Sequence, residues 1–363
     1  MKGKFLAILS IAIMVSAVFA VIAVGNAGWG NAGAVYTIDN DAAGNNVLYY
    51  ARAADGTITL VDSFPTNGLG TGARLGSQGA LALTEDGRLL LVVNAGSDEI
   101  SVFRVQSSSG LTYLSKVSSH GSKPISLTVY RNLVYVLNAG GSANIAGFKL
   151  SRTGVLTYID GSNQPLSGMA DPSPEQIGFS PNGRVLVVTE KNTNLLDTYV
   201  VNKNGVASAP ATYESIGDGP YAFAFTDKDK MVLSEVATNT MTSYVVSYQG
   251  DLRTISGAMP TFGAAPCWTV IDSKGNFAYE TNAADGTIST FAISRNGAIT
   301  LVSAIAAKMN TPALDMAFSK HDRFMYVLNG DSVTGFKVYA DGSLFWVTSV
   351  SAVPGSASGL AAS

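Results

Sequence analysis

A glycine that recurs seven times constrains this chain more than any other feature: Gly56, Gly110, Gly154, Gly205, Gly250, Gly297 and Gly342. Each follows a β-branched or aromatic run such as VLYYAR, ISVFRV, LDTYVV or MTSYVV, and each precedes a weaker one such as TITLVDSF or AITLVSAI. Further upstream, VYTID, LLVVN, VYVLN, LVVTE, MVLSE, FAYET and MYVLN repeat as another strand. Val, Ile, Thr and Tyr suit a pleated, half-buried surface, and glycine supplies the positive φ that a tight hairpin needs. Residues 174–205 show the unit whole: strand, polar turn, strand, loop, strand and an Asn204-Gly205 turn. One such meander cannot bury both of its faces. Seven of them, roughly 45–50 residues each, have the spacing of propeller blades. The expected fold is all-β: a seven-bladed β-propeller of four-stranded antiparallel blades, one domain over 34–363.

The two chain ends bear on how the ring closes. The first strand, 34–39, matches the second strand of the other repeats, so blade one lacks its innermost strand. The C-terminal PGSASGLAA (354–362) resembles the innermost strands GALALT and PEQIGFS. The two ends are expected to meet in one sheet, leaving no exposed edge. Ahead of the repeats, Lys2 and Lys4 precede an apolar run over 5–24 and then small residues. Residues 1–27 therefore read as an export signal and 28–33 as a linker. The run is also long enough to span a bilayer, so an uncleaved anchor is the alternative. The expected location is secreted, periplasmic or cell-surface. Cys267, the single cysteine, has no partner, so core and sheet rather than disulfides must hold the fold.

Several chemistries drop out. The chain has 23 basic residues, two of them Lys2 and Lys4, against 26 acidic ones. No basic run or Arg-aromatic stripe is present to track a phosphate backbone, so nucleic acid is not an expected partner. Membrane contact is expected only through an uncleaved N-terminus, and the chain is expected to be a monomer. The loop GLGTGARLGSQG (68–79) approaches a dinucleotide fingerprint, but a strand rather than a helix follows it. It reads as a glycine-rich inter-blade loop whose one cation is Arg74. The DNDAAG turn at 39–44 fails as a calcium loop at Ala43 and Tyr50. There is no G-x-S-x-G elbow and there are only two histidines: His321 belongs to the opposite face and His120 has no evident partner.

The face that carries the second-to-third-strand loops and the inter-blade connections is the candidate functional face. Residues ending the second strands should converge there: Asp39, Asn94, Asn138, Glu190, Glu235, Glu280 and Asn329. Three consecutive glutamates would make an acidic arc, in which a divalent cation is conceivable although no cofactor is required. A repeat-encoded side chain bonding the backbone of its own turn is the competing reading. Leading into the innermost strands are Gln78, Lys123-Pro124, Pro174-Glu175-Gln176, Pro220-Tyr221, Pro266-Cys267-Trp268 and Pro312. Tyr221 and Trp268 would give the channel mouth an apolar wall beside the arc.

The repeats LVVNAGSDEISVFRV, YVLNAGGSANIAGFKL and FSPNGRVLVVTEKNTNLLDTYVV resemble those of the seven-bladed propeller lactonase family, which includes bacterial 6-phosphogluconolactonases and fungal carboxymuconate cyclases. The resemblance runs over about 34–362 and is specific for architecture more than for reaction. It implies a Pro-Arg-His lead-in, a Phe-x-Pro-x-Gly turn and an Asn-Glu strand end. Arg would hold an anionic substrate or an oxyanion, and His would move a proton. The matching residues here are Pro174-Glu175-Gln176, then Phe179-Ser180-Pro181-Asn182-Gly183, then Thr189-Glu190, so only Glu190 of that polar set is kept. The leading expectation is an exported propeller binding a small molecule, glycan or protein partner on its Glu-bearing face. The alternative is a hydrolase of neutral lactones with Glu190 as base, and a structural cell-surface module is the third.

Overall fold

The computed structural model describes residues 32–106 and 110–363. The segments read as export signal and linker fall almost wholly outside them. Residues 31–363 form one compact unit. It consists of seven antiparallel sheets of four main strands each. Blade 4 is typical: Pro174–Phe179, Val185–Glu190, Leu195–Val200 and Ala211–Glu214 pair in sequence order from the channel outward. Blade 1 uses Gly33–Ile38, Asn46–Arg52 and Ile58–Pro65, and Ser358–Ala362 supplies its innermost strand. The register there is Val35↔Ala362 and Tyr36↔Ala361, followed by a bulge to Ile38↔Ser358. Thr37 Oγ1 donates to Gly359 O at 2.7 Å, and the Arg52 guanidinium donates to Ser363 O and Ala32 O. The chain ends close the ring as the repeat requires.

The turn glycines have a second role beyond backbone geometry. Gly56 has φ +93°, and a Cβ built on it would lie 2.3 Å from the Phe324 ring of the preceding blade. Gly342 repeats this at φ +83°, with Phe277 at 2.7 Å. Three tyrosines complete the same joint. Tyr135, Tyr279 and Tyr326 donate their hydroxyls to the carbonyls of Gly205, Gly342 and Gly56 in the next blade, at 2.7, 3.0 and 2.7 Å. The Gly56 and Gly342 turns are thus each seated on an aromatic ring and held by a buried hydroxyl, while Gly205 takes the same hydroxyl bond but packs on Leu133 and Ile159.

The two ends of the barrel differ in kind. One end, the turn face, carries the short first-to-second and third-to-fourth strand turns. The other, the mouth face, carries the ends of the second strands and the inter-blade connections.

Candidate functional site

The strand-end residues form a set of latches. In five blades an S/T-x-G or Ser-Gly step precedes the next innermost strand: Thr66-Asn67-Gly68, Ser119-His120-Gly121, Ser167-Gly168, Ser215-Ile216-Gly217 and Thr261-Phe262-Gly263. The strand-end side chain reaches into this step. Glu235 accepts from Gly217 N at 2.7 Å, Ser215 Oγ at 3.0 Å, and the hydroxyls of Thr240 and Thr242. Glu190 accepts from Ser167 N at 2.9 Å, Ser167 Oγ at 2.7 Å and Thr193 Oγ1 at 2.6 Å. Asn138 donates to Ser119 O, Asn94 to Ser101 Oγ, and Asn329 to Thr311 and Ser332. Asp39 accepts from Asn46. All these side chains are buried. Glu190, Glu235 and Asn329 each bond both their own blade and the loop laid over it, Asn138 bonds the loop, and Asn94 and Asp39 bond their own blade.

In blade 6 the latch is Asn282, not Glu280. Asn282 pairs with Pro266 as Glu190 pairs with Pro174 and Glu235 with Pro220, and it donates to Thr287 and Ser289. Glu280 lies two residues back, where other blades have Val188, Leu233 or Val327. It is fully buried, on the strand side that also carries Ala278, which packs with Val232 and Met241 of blade 5. Burial, then the nearby Glu235, hold its carboxyl well above the usual range. Counting 45 residues forward misplaced it because blade 6 is two residues longer by that point. The acidic arc therefore reduces to Glu190 and Glu235, each under its own loop. Asp197 faces Glu190, and burial followed by that neighbour pushes its carboxyl up to about 7. Among the described residues no three His, Cys, Asp or Glu converge as a metal site.

The glycine-rich loop does more than connect blades. Residues 74–78 cross the channel and bond to six blades. Arg74 donates to Gly330 O in blade 7, and Leu75 N to Ser358 Oγ in blade 1. Ser77 Oγ donates to Ile125 O in blade 3, and Gln78 N to Glu175 O in blade 4. The Tyr221 hydroxyl of blade 5 donates to Gly76 O, and Trp268 Nε1 of blade 6 donates to Ser77 O at 3.1 Å. The Gln78 amide completes the crossing by exchanging two bonds with the Thr269 backbone, at 2.9 and 3.1 Å. Tyr221 and Trp268 meet edge-on, with centroids 5.3 Å apart, and both are pinned to this plug. Both rings are buried, and of the two only Tyr221 lines the cavity above the plug.

Above the plug lies a cavity of about 390 Å³, lined by Leu75, Lys123, Asp171, Glu175, Lys191 and Tyr221 among others. That volume suits a small polar molecule. Glu175 Oε1 forms an ion pair with Lys191 Nζ and accepts from Ser173 Oγ at 3.2 Å. The same Nζ lies 5.6 Å from the centre of the Tyr221 ring. The Glu175 side chain is only 5% exposed. Its burial pushes the carboxyl up to about 7, against the pull of Lys191, Ser173 and Lys123. Burial likewise raises the Tyr221 hydroxyl well above its ordinary value, keeping it protonated. Gln176 does not face this cavity: its amide bridges to blade 5, donating to Phe223 O and accepting from Phe223 N. It lines a second cavity of about 280 Å³ on the turn side of the plug, with Phe179, Phe223, Met316 and Asp315.

Of the residues the sequence singled out, Glu175 and Tyr221 come together at the mouth. Glu190, Glu235, Asn94, Asn138 and Asn329 are spread under the rim as latches. Arg74, Gln176 and Trp268 are committed to the plug and channel wall. The negative charge expected at Glu175 is offset by Lys191, which sequence reasoning missed. The signal was available: only Arg74, Lys116, Lys123, Lys191 and Lys308 among the described cations belong to the mouth face, and two of them sit in this cavity.

Comparison with known proteins gives the same class. A family profile described as "Lactonase, 7-bladed beta-propeller" matches residues 43–167 and 170–356. The chain belongs to that lactonase propeller family. The 6-phosphogluconolactonase of Serratia proteamaculans is 25% identical over 268 residues, which is 70% of this chain and 79% of that protein. The solved structure of the Pseudomonas aeruginosa periplasmic gluconolactonase aligns with a TM-score of 0.71 at 18% identity, covering 90% of this chain and 98% of that one. A Lactobacillus plantarum protein aligns equally well, with TM-score 0.71, 18% identity, and 91% and 99% covered. At such identities the structural matches establish the fold alone.

Proposed function

We propose that this chain opens the ring of a small hydroxylated lactone in the mouth cavity, with Glu175 as the proton-transfer group. The observation that carries this is a buried carboxyl near neutrality, ion-paired to Lys191 on the wall of a cavity of small-molecule size. A general base works best when its pKa is close to the working pH. Ionised Glu175 takes a proton from water as the water oxygen bonds to the lactone carbonyl carbon. The carbonyl electron pair moves to oxygen, and Lys191, freed from the full carboxylate charge as Glu175 takes up the proton, stabilises the oxyanion together with Lys123. Collapse of the tetrahedral intermediate breaks the carbon–ring-oxygen bond, and the leaving oxygen takes the proton from Glu175. The product is a hydroxy acid that releases its carboxyl proton to solvent, leaving a carboxylate near two ammonium groups.

This reading moves the base from Glu190 to Glu175, because Glu190's oxygens are taken by Ser167 and Thr193. It also favours substrates without a phosphate. Lys191 is committed to Glu175, and Asp171 shares the wall with Lys123. Lys2, Lys4 and the apolar run over 5–24 support action outside the cytoplasm.

The test is hydrolysis of glucono-δ-lactone, followed by base uptake above the spontaneous rate, for the parent and Glu175→Gln. The expectation is turnover in the parent and a loss of about 10²–10⁴-fold in the variant. Saturable binding of the lactone without turnover would instead favour a binding protein. Turnover retained in Glu175→Gln but lost in Glu190→Gln would return the base to Glu190.

A further inference from the structure

The turn face carries a charge pattern that the lactone site does not use. Apart from the five cations named above, every Lys and Arg of the described residues lies at this end. The cations are dispersed, about one per turn, so no basic run appears in the sequence. Sixteen cations of the described residues here face nine carboxylates, Asp55, Glu85, Asp86, Asp227, Asp229, Asp251, Asp272, Asp322 and Asp341, and several of those spend their oxygens on their own turns. Asp272 accepts from Asn276 N and Phe277 N, Asp251 from Ser247 Oγ, and Asp341 from Ser343 N and Oγ. The face is therefore electropositive toward solvent.

One place on it is concave. Between blades 3, 4 and 5 a cavity of about 510 Å³ is lined by Tyr130, Arg131, Arg184, Lys203 and Tyr248, with no carboxylate in its wall. The Arg131 guanidinium lies 5.3 Å from the Tyr130 ring centre, and that of Arg184 lies 5.7 Å from the Tyr248 ring centre. The ring contacts place both planar forks at the cavity wall with their donors free for an anion. The ion pairs of the described residues involve Arg88, Lys116 and Lys191 and none of these three. At the same end, Phe345 and Trp346 on the outer strand of blade 7 are 62% and 58% exposed. The amphipathic indole of Trp346 is of the kind that favours the headgroup level of a bilayer, and the Phe345 ring beside it is apolar.

The chain also enters the propeller here. Gly33 pairs with Arg52, beside the Ala53 to Gly56 turn, so the apolar 5–24 run precedes a strand that begins on this face. We propose that the turn face lies against an anionic phospholipid surface, with one phosphate headgroup in the Arg131–Arg184–Lys203 cavity. The mouth cavity, at the other end of the barrel, then stays open to solvent. Three features point the same way: charge, exposed aromatics and the end at which the chain enters.

The test uses the chain from Gly28 onward, whose ring is closed by its own strands, so that the apolar run does not itself drive binding. Sedimentation with vesicles of phosphatidylglycerol and phosphatidylcholine is compared with phosphatidylcholine alone, for the parent and for the Arg131→Ala, Arg184→Ala, Lys203→Ala triple variant. The parent is expected to bind only the anionic vesicles, and less so as salt is raised. The triple variant should bind on the order of a hundredfold more weakly, as expected for three cations near such a surface. A far-ultraviolet spectrum and melting temperature matching the parent would show that the variant is folded; if it is not, single charge reversals at the same exposed sites replace it. Equal binding to both vesicle types, or no loss in the folded variants, would overturn the proposal. Inorganic phosphate captured saturably by the parent, with no vesicle binding, would assign the cavity to a soluble anion and overturn it as well.

Discussion

Replacing Lys191 by Met removes the ion pair that keeps Glu175 from rising further. In the parent, burial is the larger influence and has pushed Glu175 up to about 7, with Lys191 opposing it. An adjacent opposite charge is worth roughly 1–3 pKa units. The Lys191 side chain is 32% exposed and so partly screened by water, which places the effect near the low end, about one unit. The base would then titrate near about 8. At about pH 7 its ionised fraction would fall from about one half to about one tenth, so kcat/KM should drop roughly fivefold from this cause alone. The loss should disappear near pH 9, where both forms are ionised. Losing an oxyanion donor is different: it lowers the plateau at every pH, by up to about 10²-fold. A pH profile of kcat/KM on glucono-δ-lactone separates the two, since one moves the midpoint and the other the height. A Lys191→Met profile whose midpoint stays put or moves to lower pH would refute the pairing of Glu175 with Lys191 as the origin of the base.

Stability should carry the same signature. Glu175 and Asp315 have folded-state values raised by burial from 4.5 and 3.8 to about 7, so the folded chain binds more protons than the unfolded one across that window. Their contribution to stability is therefore full below about pH 4 and is lost as pH rises to about 7. A melting temperature that rises on acidification from about pH 8 to about pH 5 is expected, and Asp315→Asn should flatten the slope. A slope of opposite sign would count against these assignments. Gly56→Ala places a Cβ at positive φ and against Phe324; it should cost at least about 1–2 kcal/mol in urea unfolding. Gln78→Ala removes both bonds across the channel to Thr269 and should destabilise by about 1–3 kcal/mol. Deleting residues 358–363 should expose the inner edge of blade 1, seen as aggregation or loss of cooperative melting.

The ring was legible because each blade repeats the same physical demands. A glycine must turn at positive φ against a side chain of the preceding blade, β-branched residues must fill two faces, and the missing first strand must come from somewhere. Gly56, Gly342 and the 354–362 segment each announce one of these needs locally. The site was harder to read because its parts answer to no repeat. Lys191 lies one residue beyond a strand end, Lys123 one residue before a proline, and nothing in the sequence says that both turn toward Glu175. The plug was hidden for a related reason. Glycines at 68–79 advertise a loop, but the bonds of residues 74–78 to six blades exist only once the ring has closed around it.

The glutamates show how a repeat can mislead about function. A residue that recurs at one position from blade to blade is under a shared structural demand, here to fasten the end of the second strand to its neighbouring strand or to the loop above it. Asn meets that demand as a donor: at Asn138, Asn282 and Asn329 the amide nitrogen makes the bonds and the amide oxygen makes none. Glu meets it with acceptors only, which is why Glu190 and Glu235 are surrounded by the hydroxyls of Ser167, Thr193, Ser215, Thr240 and Thr242, while Asn282 and Asn329 donate to such groups. The chemistry we propose lies where the repeat is broken. At the position of Glu175 the other blades carry Ile125, Tyr221, Cys267 and Leu314, and only in blade 4 does a carboxyl stand there with a lysine beside it. Burial that would be a defect in a purely structural carboxyl is, at an open cavity, what brings a base into the neutral range.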